Sequence, residues 1–241
     1  MIPVSDTVRS RTTPYVNLAI IAVNFLVFFF ELSLSQADLN LFFFDHGVVP
    51  RRLVDWWNGP SGFEEPFTIV SAAFIHGGWL HILGNMIYLW VFGDNIEDAL
   101  GHVKYAVFYL VAAAGAVALQ VAIDTNEVIP MVGASGAIAG ILGAYLVLYP
   151  RATVGVLIPW FWFFGAIPLP AIFLIGFWFV MQLFTGIASI GTATGASEGI
   201  AVWAHVGGFI TGFAIVLALR PLIPRRPTFQ RPRRRPDRDV W

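Results

Sequence analysis

The chain has 241 residues, of which 57% are hydrophobic and only 12% are charged. An ordinary soluble domain has roughly a quarter of its residues charged, so this composition excludes a soluble globular protein and indicates an integral membrane protein. The chain has no cysteine, which excludes a disulfide framework, a thiolate nucleophile and a cysteine-ligated metal. The net charge of -1 hides an asymmetry, because eight of the 14 basic residues lie at or after Arg220.

The order of apolar segments predicts an all-α membrane protein with six transmembrane helices. A span needs about 20 predominantly apolar residues. The first run lacks the small-residue cleavage site of a signal peptide, so we interpret it as a retained span. The predicted organisation is a cytoplasmic segment 1–14, a membrane domain 15–219 and a basic, disordered cytoplasmic tail 220–241, with spans at about 15–30, 79–93, 105–123, 134–149, 170–187 and 201–219.

The connections between these spans differ in character. Residues 32–77 mix aromatic clusters with charges, which predicts short helices lying in the outer membrane interface; the alternative is an extramembrane subdomain with its own small core. Residues 94–104 are predicted as a charged turn, and residues 153–167 as a partly buried connection. Residues 188–199, rich in Gly, Ser and Thr, are predicted as a flexible loop.

The distribution of basic residues predicts the orientation. Six spans put both termini on one side, together with Arg9, Arg11, Lys104 and Arg151. The positive-inside rule makes that side cytoplasmic, and we expect a multi-pass protein of the plasma (inner) membrane.

Polar side chains in the apolar segments indicate a site. Ser135 opens the fourth span, His205 lies near the start of the sixth, and His81 and Asn85 lie in the second. Counted at about 1.5 Å per residue from the helix starts, all four fall within roughly 10 Å of the outer boundary. Small-residue stripes, Gly136-Gly140-Gly143 and Gly208-Gly212, predict close approach of the fourth and sixth helices.

These residue types suit serine nucleophilic catalysis. A serine hydroxyl needs a base to take its proton, and a neutral histidine is the usual base. No Asp or Glu lies inside the predicted spans to orient His205, so a Ser135–His205 dyad is predicted. His81 and Asn85, at i and i+4, share one helix face and are predicted to stabilise a tetrahedral oxyanion.

Other roles for the polar residues, and another class of function, stay open at this point. His76, His81 and His205 form a possible metal site, which we disfavour because no carboxylate or cysteine accompanies them; we expect no metal and no cofactor. Gln120 and Gln182 are expected to form interhelical hydrogen bonds. A transporter or channel would show midplane charges and internal repeats, and neither is visible.

Three motifs resemble those of the rhomboid family of intramembrane serine proteases. They are Phe74-Ile75-His76-Gly77-Gly78-Trp79-Leu80-His81-Ile82-Leu83-Gly84-Asn85-Met86, Gly133-Ala134-Ser135-Gly136, and Ala204-His205-Val206-Gly207-Gly208 with Gly212.

The resemblance implies a bacterial-type, six-helix core, Ser135 as nucleophile, His205 as general base, and His81, Asn85 and the Ser135 backbone N–H as oxyanion donors. It also implies substrates that are transmembrane helices cut near their outer end. Many members carry an aromatic residue four positions after the nucleophile, against which the histidine packs, whereas this chain has Ala139. We therefore expect Trp203 or Phe209 to support the His205 ring.

Substrate access is predicted at two places. Loop 188–199 is a candidate lid, and Phe177, Trp178 and Met181 are candidate gate residues, with lipid-facing side chains as the alternative for all three. The expected partners are transmembrane protein substrates and membrane lipid, with no nucleic acid; the oligomeric state does not follow from the sequence. The alternative function is a catalytically silent rhomboid-like protein that binds transmembrane helices as a chaperone or adaptor.

Overall fold

The computed structural model of the protein describes residues 2–59, 64–157, 165–189 and 201–223. The described chain is mostly helical. Its α-helices are α1 (Tyr15–Glu31), α2 (Gln36–His46), α3 (Pro50–Asn58), α4 (Glu64–Ser71), α5 (Trp79–Tyr88), α6 (Asp94–Leu100), α7 (His102–Ile123), α8 (Ser135–Leu148), α9 (Ala171–Ser189) and α10 (Val202–Leu219). A π-helical turn, Leu89–Gly93, joins α5 to α6, and 3-10 turns, Ala72–Phe74 and Arg220–Leu222, follow α4 and α10.

Three helical segments are long and apolar enough to cross a membrane: His102–Ile123, Ala171–Ala188 and Val202–Leu222. A fourth arises if Glu65–Phe74 and Trp79–Leu100, bent by 84°, are counted as one span. Helices α1 and α8 are apolar but shorter. The membrane character predicted from composition is therefore supported, while helix length and composition do not confirm the predicted count of six spans.

Helix α8 is the centre of the bundle. All of its 14 residues but three are buried, and it packs against α10 and α7. A Cβ on Gly136 would lie 2.6 Å from Ala116 of α7, and one on Gly208 of α10 would collide with the carbonyl oxygen of Gly136. One turn further, Gly212 meets Gly140 in the same way. The predicted glycine stripes thus form a backbone contact between the parallel helices α8 and α10.

The prediction of a charged turn at residues 94–104 is wrong, because residues 94–100 form helix α6. Its carboxylates accept hydrogen bonds from the segment that leads into α1 and from the first turn of α1. Glu97 accepts hydrogen bonds from the backbone N–H groups of Val16 (3.0 Å) and Asn17 (2.7 Å), and Asp98 accepts two from Thr12. An acidic group at a helix N-terminus is stabilising, so Glu97 caps α1.

The all-α prediction omitted a small antiparallel sheet. Its strands are β1 (Ile2–Asp6), β2 (Thr153–Leu157) and β3 (Ala166–Pro170), in the order β1-β2-β3. Val154 and Val156 are buried against the bundle, so the predicted partly buried connection is in part a strand. The sheet lies beyond the end of α8 opposite Ser135.

Asp6 ties the end of β1 to the bundle. Its Oδ2 accepts hydrogen bonds from Tyr145 Oη of α8 (2.5 Å) and Asn95 Nδ2 of α6 (2.9 Å). Burial raises the pKa of Asp6 to about 7, an effect that the Tyr145 hydrogen bond opposes. At neutral pH a large fraction of this carboxyl is therefore uncharged, which suits its place against an apolar core.

The first long loop folds as the short helices α2, α3 and α4, as predicted. It is joined to the segment before α8 by a bridge between Val48 and Met131, and Arg52 pairs with Glu65. The apolar cluster beneath it contains Val48, Ala72 and also Val117 of α7, so its core is shared with the helix bundle. The interfacial position of the loop stays a prediction. The predicted lid falls almost wholly on residues 190–200, and most of the basic tail on 224–241, which lie outside the described residues.

The glycine contact between α8 and α10 predicts a specific loss of stability. A methyl group on Gly212 would lie 2.6 Å from Gly140 Cα, and overpacking of this kind costs about 1 to 3 kcal/mol. We expect Gly212→Ala to lower the thermal unfolding midpoint in detergent. Gly176→Ala is the matched control, because a Cβ there meets nothing within 4 Å and alanine favours a helix. Equal midpoints for the two variants would contradict close backbone packing at Gly212.

Candidate active site

The backbone around Ser135 is shaped by Gly133. Gly133 has φ of 126°, a conformation that side chains other than glycine rarely adopt. Its N–H donates to Ala72 O at 2.8 Å, which fixes the turn against the segment after α4. Ser135 then begins α8. The first N–H groups of a helix have no partner within the helix, so the Ser135 N–H is available as a donor beside its own hydroxyl.

Ser135 and His205 are in hydrogen-bond contact. His205 Nε2 lies 2.8 Å from Ser135 Oγ, within the range for an oxygen–nitrogen hydrogen bond. His205 lies in the first turn of α10, and Ser135 is the first residue of the parallel helix α8. The glycine contact one turn deeper holds the two backbones close enough for these short side chains to meet.

The other edge of the His205 ring is held by α9. His205 Nδ1 lies 3.1 Å from Gln182 Oε1, and the Trp178 ring lies at a centroid distance of 6.0 Å from the imidazole. Support from Trp203 or Phe209 was the expectation. Instead, Phe209 packs against Trp178 and stacks on Phe179.

His81 reaches the turn that precedes the serine. Its Nδ1 accepts a hydrogen bond from the Gly77 N–H at 3.3 Å. A neutral imidazole has one N–H, so this contact assigns the hydrogen to Nε2. A Cβ on Gly133 would lie 2.7 Å from that Nε2, so the donor points to the turn beside Ser135, and only glycine leaves room for it.

Asn85 lies one turn after His81 on α5 and is 7% exposed. Within the described part of the chain its Nδ2 has no hydrogen-bond partner. Buried polar atoms are nearly always paired, so an unpaired amide in a cavity wall is a donor available to a ligand.

A cavity of about 670 Å³ is lined by Ser135, His205, His81 and Asn85. This is the size of an ordinary ligand pocket. The polar side chains in its lining are those of His81, Asn85, Tyr88, Ser135 and His205, and its apolar wall includes Ile138 and Leu142 beside Trp178. A peptide carbonyl placed here would have a hydroxyl, a base and several hydrogen-bond donors within reach.

The histidines do not assemble a metal site in the described residues, where no group of three His, Asp or Glu side chains is close enough to hold an ion. His76 is buried and packs edge-on against His81, with ring centroids 5.0 Å apart.

The three candidate gate residues separate into two groups. Phe177 and Met181 are 55% and 45% exposed on the outer face of α9, which fits the lipid-facing alternative. Trp178 turns inward and lines the cavity. A gating role for α9 stays a prediction.

Comparison with known proteins identifies the family of the chain. Residues 64–222 match the family model described as the Rhomboid domain. RHOMBOID-like protein 5 of Arabidopsis thaliana is 34% identical over 100 residues, which cover 42% of this chain and 30% of that protein. RHOMBOID-like protein 4 of the same plant is 28% identical over 160 residues, or 66% of this chain and 36% of that protein.

A third relative, Rhomboid-like protease 5 of Toxoplasma gondii, is 30% identical over 159 residues, or 64% of this chain and 16% of that protein. The chain thus spans between 16% and 36% of the length of these three relatives. Because the family model covers most of the chain, the protein belongs to the rhomboid family.

Two contacts of the site were not predicted from the sequence. Gln182 was expected to bond another helix, and it does, but its partner His205 was not foreseen. Trp178 and Gln182 are spaced i, i+4, so they share one face of α9; this spacing was the available signal. The N–H of Gly77 that orients His81 gave no sequence signal, because every residue other than proline has one.

The geometry of Asn85 predicts a large loss of turnover with little loss of stability. Removing one oxyanion donor typically lowers kcat about 100-fold or more. If the cavity stabilises an oxyanion, we expect Asn85→Ala to lower kcat of the reaction at Ser135 by this factor and to leave the unfolding midpoint close to that of the unmodified protein. Asn126→Ala is the control, because this exposed amide contacts Arg51 far from the cavity. An unchanged kcat in Asn85→Ala would argue against an oxyanion role.

Proposed function

We propose that this protein is an intramembrane serine endopeptidase that cleaves transmembrane helices of its substrates near their outer end. The observation that carries the proposal is the 2.8 Å contact between Ser135 Oγ and His205 Nε2 in a cavity that also holds His81 and Asn85. Membership of the rhomboid family, one relative of which is named a protease, supports it.

The proposed reaction uses Nε2 of His205 as the base. Nε2 takes the hydroxyl proton while Ser135 Oγ attacks the scissile carbonyl carbon, and the carbonyl oxygen becomes an oxyanion. His81 Nε2–H, Asn85 Nδ2 and the Ser135 N–H are the proposed donors to that oxyanion. The imidazolium then gives its proton to the leaving amine, and water, activated by the same base, hydrolyses the acyl-enzyme.

The proposal includes six membrane-crossing segments: α1, α5 with α6, α7, α8, α9 and α10. Helix α8 has 14 residues and is about 21 Å long, against a hydrocarbon core of about 30 Å. A short helix is acceptable here because its N-terminus opens into the cavity, where water in place of lipid meets its free N–H groups. Water entering this cavity from outside would supply the hydrolytic step.

The proposed orientation puts both termini in the cytoplasm, in a plasma (inner) membrane, with Ser135 near the outer face. The chain has no cysteine, so single cysteines report sidedness directly. Thr13 precedes α1 and Thr125 follows α7, and both are exposed. We expect an impermeant maleimide added to intact cells to label Thr125→Cys and to label Thr13→Cys only after lysis. Labelling in the reverse order would overturn the orientation.

Reaction with a fluorophosphonate tests the proposed chemistry, because this probe reacts with an activated serine hydroxyl. In detergent we expect the unmodified protein to be labelled and Ser135→Ala to be unlabelled. We expect His205→Ala to react at least about 100-fold more slowly than the unmodified protein, because this is the usual contribution of a general base. Ser33→Ala is the matched control, because this exposed hydroxyl bonds only its own helix end. A folded protein whose labelling is independent of Ser135 would favour the alternative of a silent helix-binding protein.

A further inference from the structure

The imidazole of His205 bridges two helices. Nε2 contacts Ser135 Oγ of α8 at 2.8 Å, and Nδ1 contacts Gln182 Oε1 of α9 at 3.1 Å. Both nitrogens of the ring are therefore occupied, one by the hydroxyl that it would deprotonate and one by an amide on a different helix.

The amide oxygen of Gln182 selects one tautomer of the ring. A carbonyl oxygen only accepts hydrogen bonds, so Nδ1 must carry the hydrogen and donate it. The single N–H of a neutral imidazole is then used, and Nε2 is left with a lone pair for the serine hydroxyl. The opposite tautomer would put an N–H against the Ser135 hydroxyl and remove the base from the position where it is needed.

Helix α9 also limits the orientation of the ring. Trp178, one turn before Gln182, lies beside the imidazole with its plane tilted by 40°. Ala139, one turn after Ser135 on α8, is buried and has only a methyl group, so it gives no ring surface. The two side chains that hold His205 from the side away from Ser135 thus come from the same face of α9.

We propose that Gln182 is a positioning residue for the dyad: it holds His205 in the Nδ1–H tautomer, and α9 must lie against α10 for the base to be competent. The inference rests on the proposed serine-protease function and deepens it, because it makes the arrangement of α9 a condition for the reaction. Gln182 acts through His205 and touches neither the nucleophile nor the cleaved bond.

The test compares Gln182→Leu with Gln182→Glu. The measurements are the rate of fluorophosphonate labelling and the kcat and KM on a transmembrane substrate. Gln182→Leu has a similar size and no acceptor, so we expect labelling rate and kcat to fall about 10- to 100-fold, as they do when a metal-bound histidine loses its orienting partner, with KM unchanged. Gln182→Glu keeps an accepting oxygen, so we expect it to label faster than Gln182→Leu. A role in packing alone would not favour a carboxylate over leucine in an apolar helix.

Thr185→Val is the matched control on the same helix, because its hydroxyl donates to Met181 O at 2.9 Å away from His205. We expect its rate to equal that of the unmodified protein. In a His205→Ala background, Gln182→Leu should cause no further loss, because the group that it positions is absent. If Gln182→Leu unfolds, Gln182→Met provides the same comparison.

The outcomes separate this inference from the function on which it rests. Labelling that does not depend on Ser135 would overturn the protease function itself. Ser135-dependent labelling with equal rates in Gln182→Leu and the unmodified protein, or an equal loss with and without His205, would overturn the role of Gln182 alone.

Discussion

The backbone contact between α8 and α10 sets the geometry of the site. In a bilayer, apolar side chains gain little by leaving lipid for protein, so helices associate through close packing and hydrogen bonds, and small residues permit that packing. Gly136 and Gly140 face Gly208 and Gly212, and the two helices run in the same direction. Their first turns therefore lie side by side, which puts Ser135 next to His205.

The buried carboxylates of α6 and the buried amide of Asn85 differ in their hydrogen bonding. At the end that holds the sheet, buried acidic groups have partners: Glu97 caps α1, and Asp94 accepts from Ser10 Oγ at 2.5 Å. At the Ser135 end, Asn85 Nδ2 has no partner among the described residues. Unpaired buried donors are costly, so the paired carboxylates of α6 stabilise the fold, whereas the open donor of Asn85 is available for binding.

The sequence was sufficient to predict most of the long helices and to select four polar residues that line one cavity. Counting residues from the helix starts predicted that Ser135 and His205 share one depth, because the rise of a helix is fixed. The glycine stripes predicted which helices touch, because only small residues allow backbones to approach.

The rest depended on contacts between distant parts of the chain. Residues 94–100 have the composition of a turn, yet they form α6, and its carboxylates accept hydrogen bonds from Ser10, Thr12 and the first N–H groups of α1, much earlier in the chain. Strand β1 is defined by its partner β2, about 150 residues away. The spacing of Trp178 and Gln182 shows that they share one face of α9, but it does not show which helix that face meets, so the partner of Gln182 depended on the tertiary packing.

Helix α9 is attached to the bundle at its N-terminal end, so a tilt of the helix moves the residues near its C-terminal end most. Its lower end is fixed, since the N–H groups of Ala171 and Ile172 donate to Ala152 O and Pro150 O, and β3 precedes it directly. Gln182 is eleven residues after Ala171 in the same helix, about 16 Å from the fixed end along the axis. A tilt of about 5° would move its amide by roughly 1.4 Å, which is more than a hydrogen bond tolerates. Small changes in the angle of α9 at the sheet would thus make or break the hydrogen bond between Gln182 and His205.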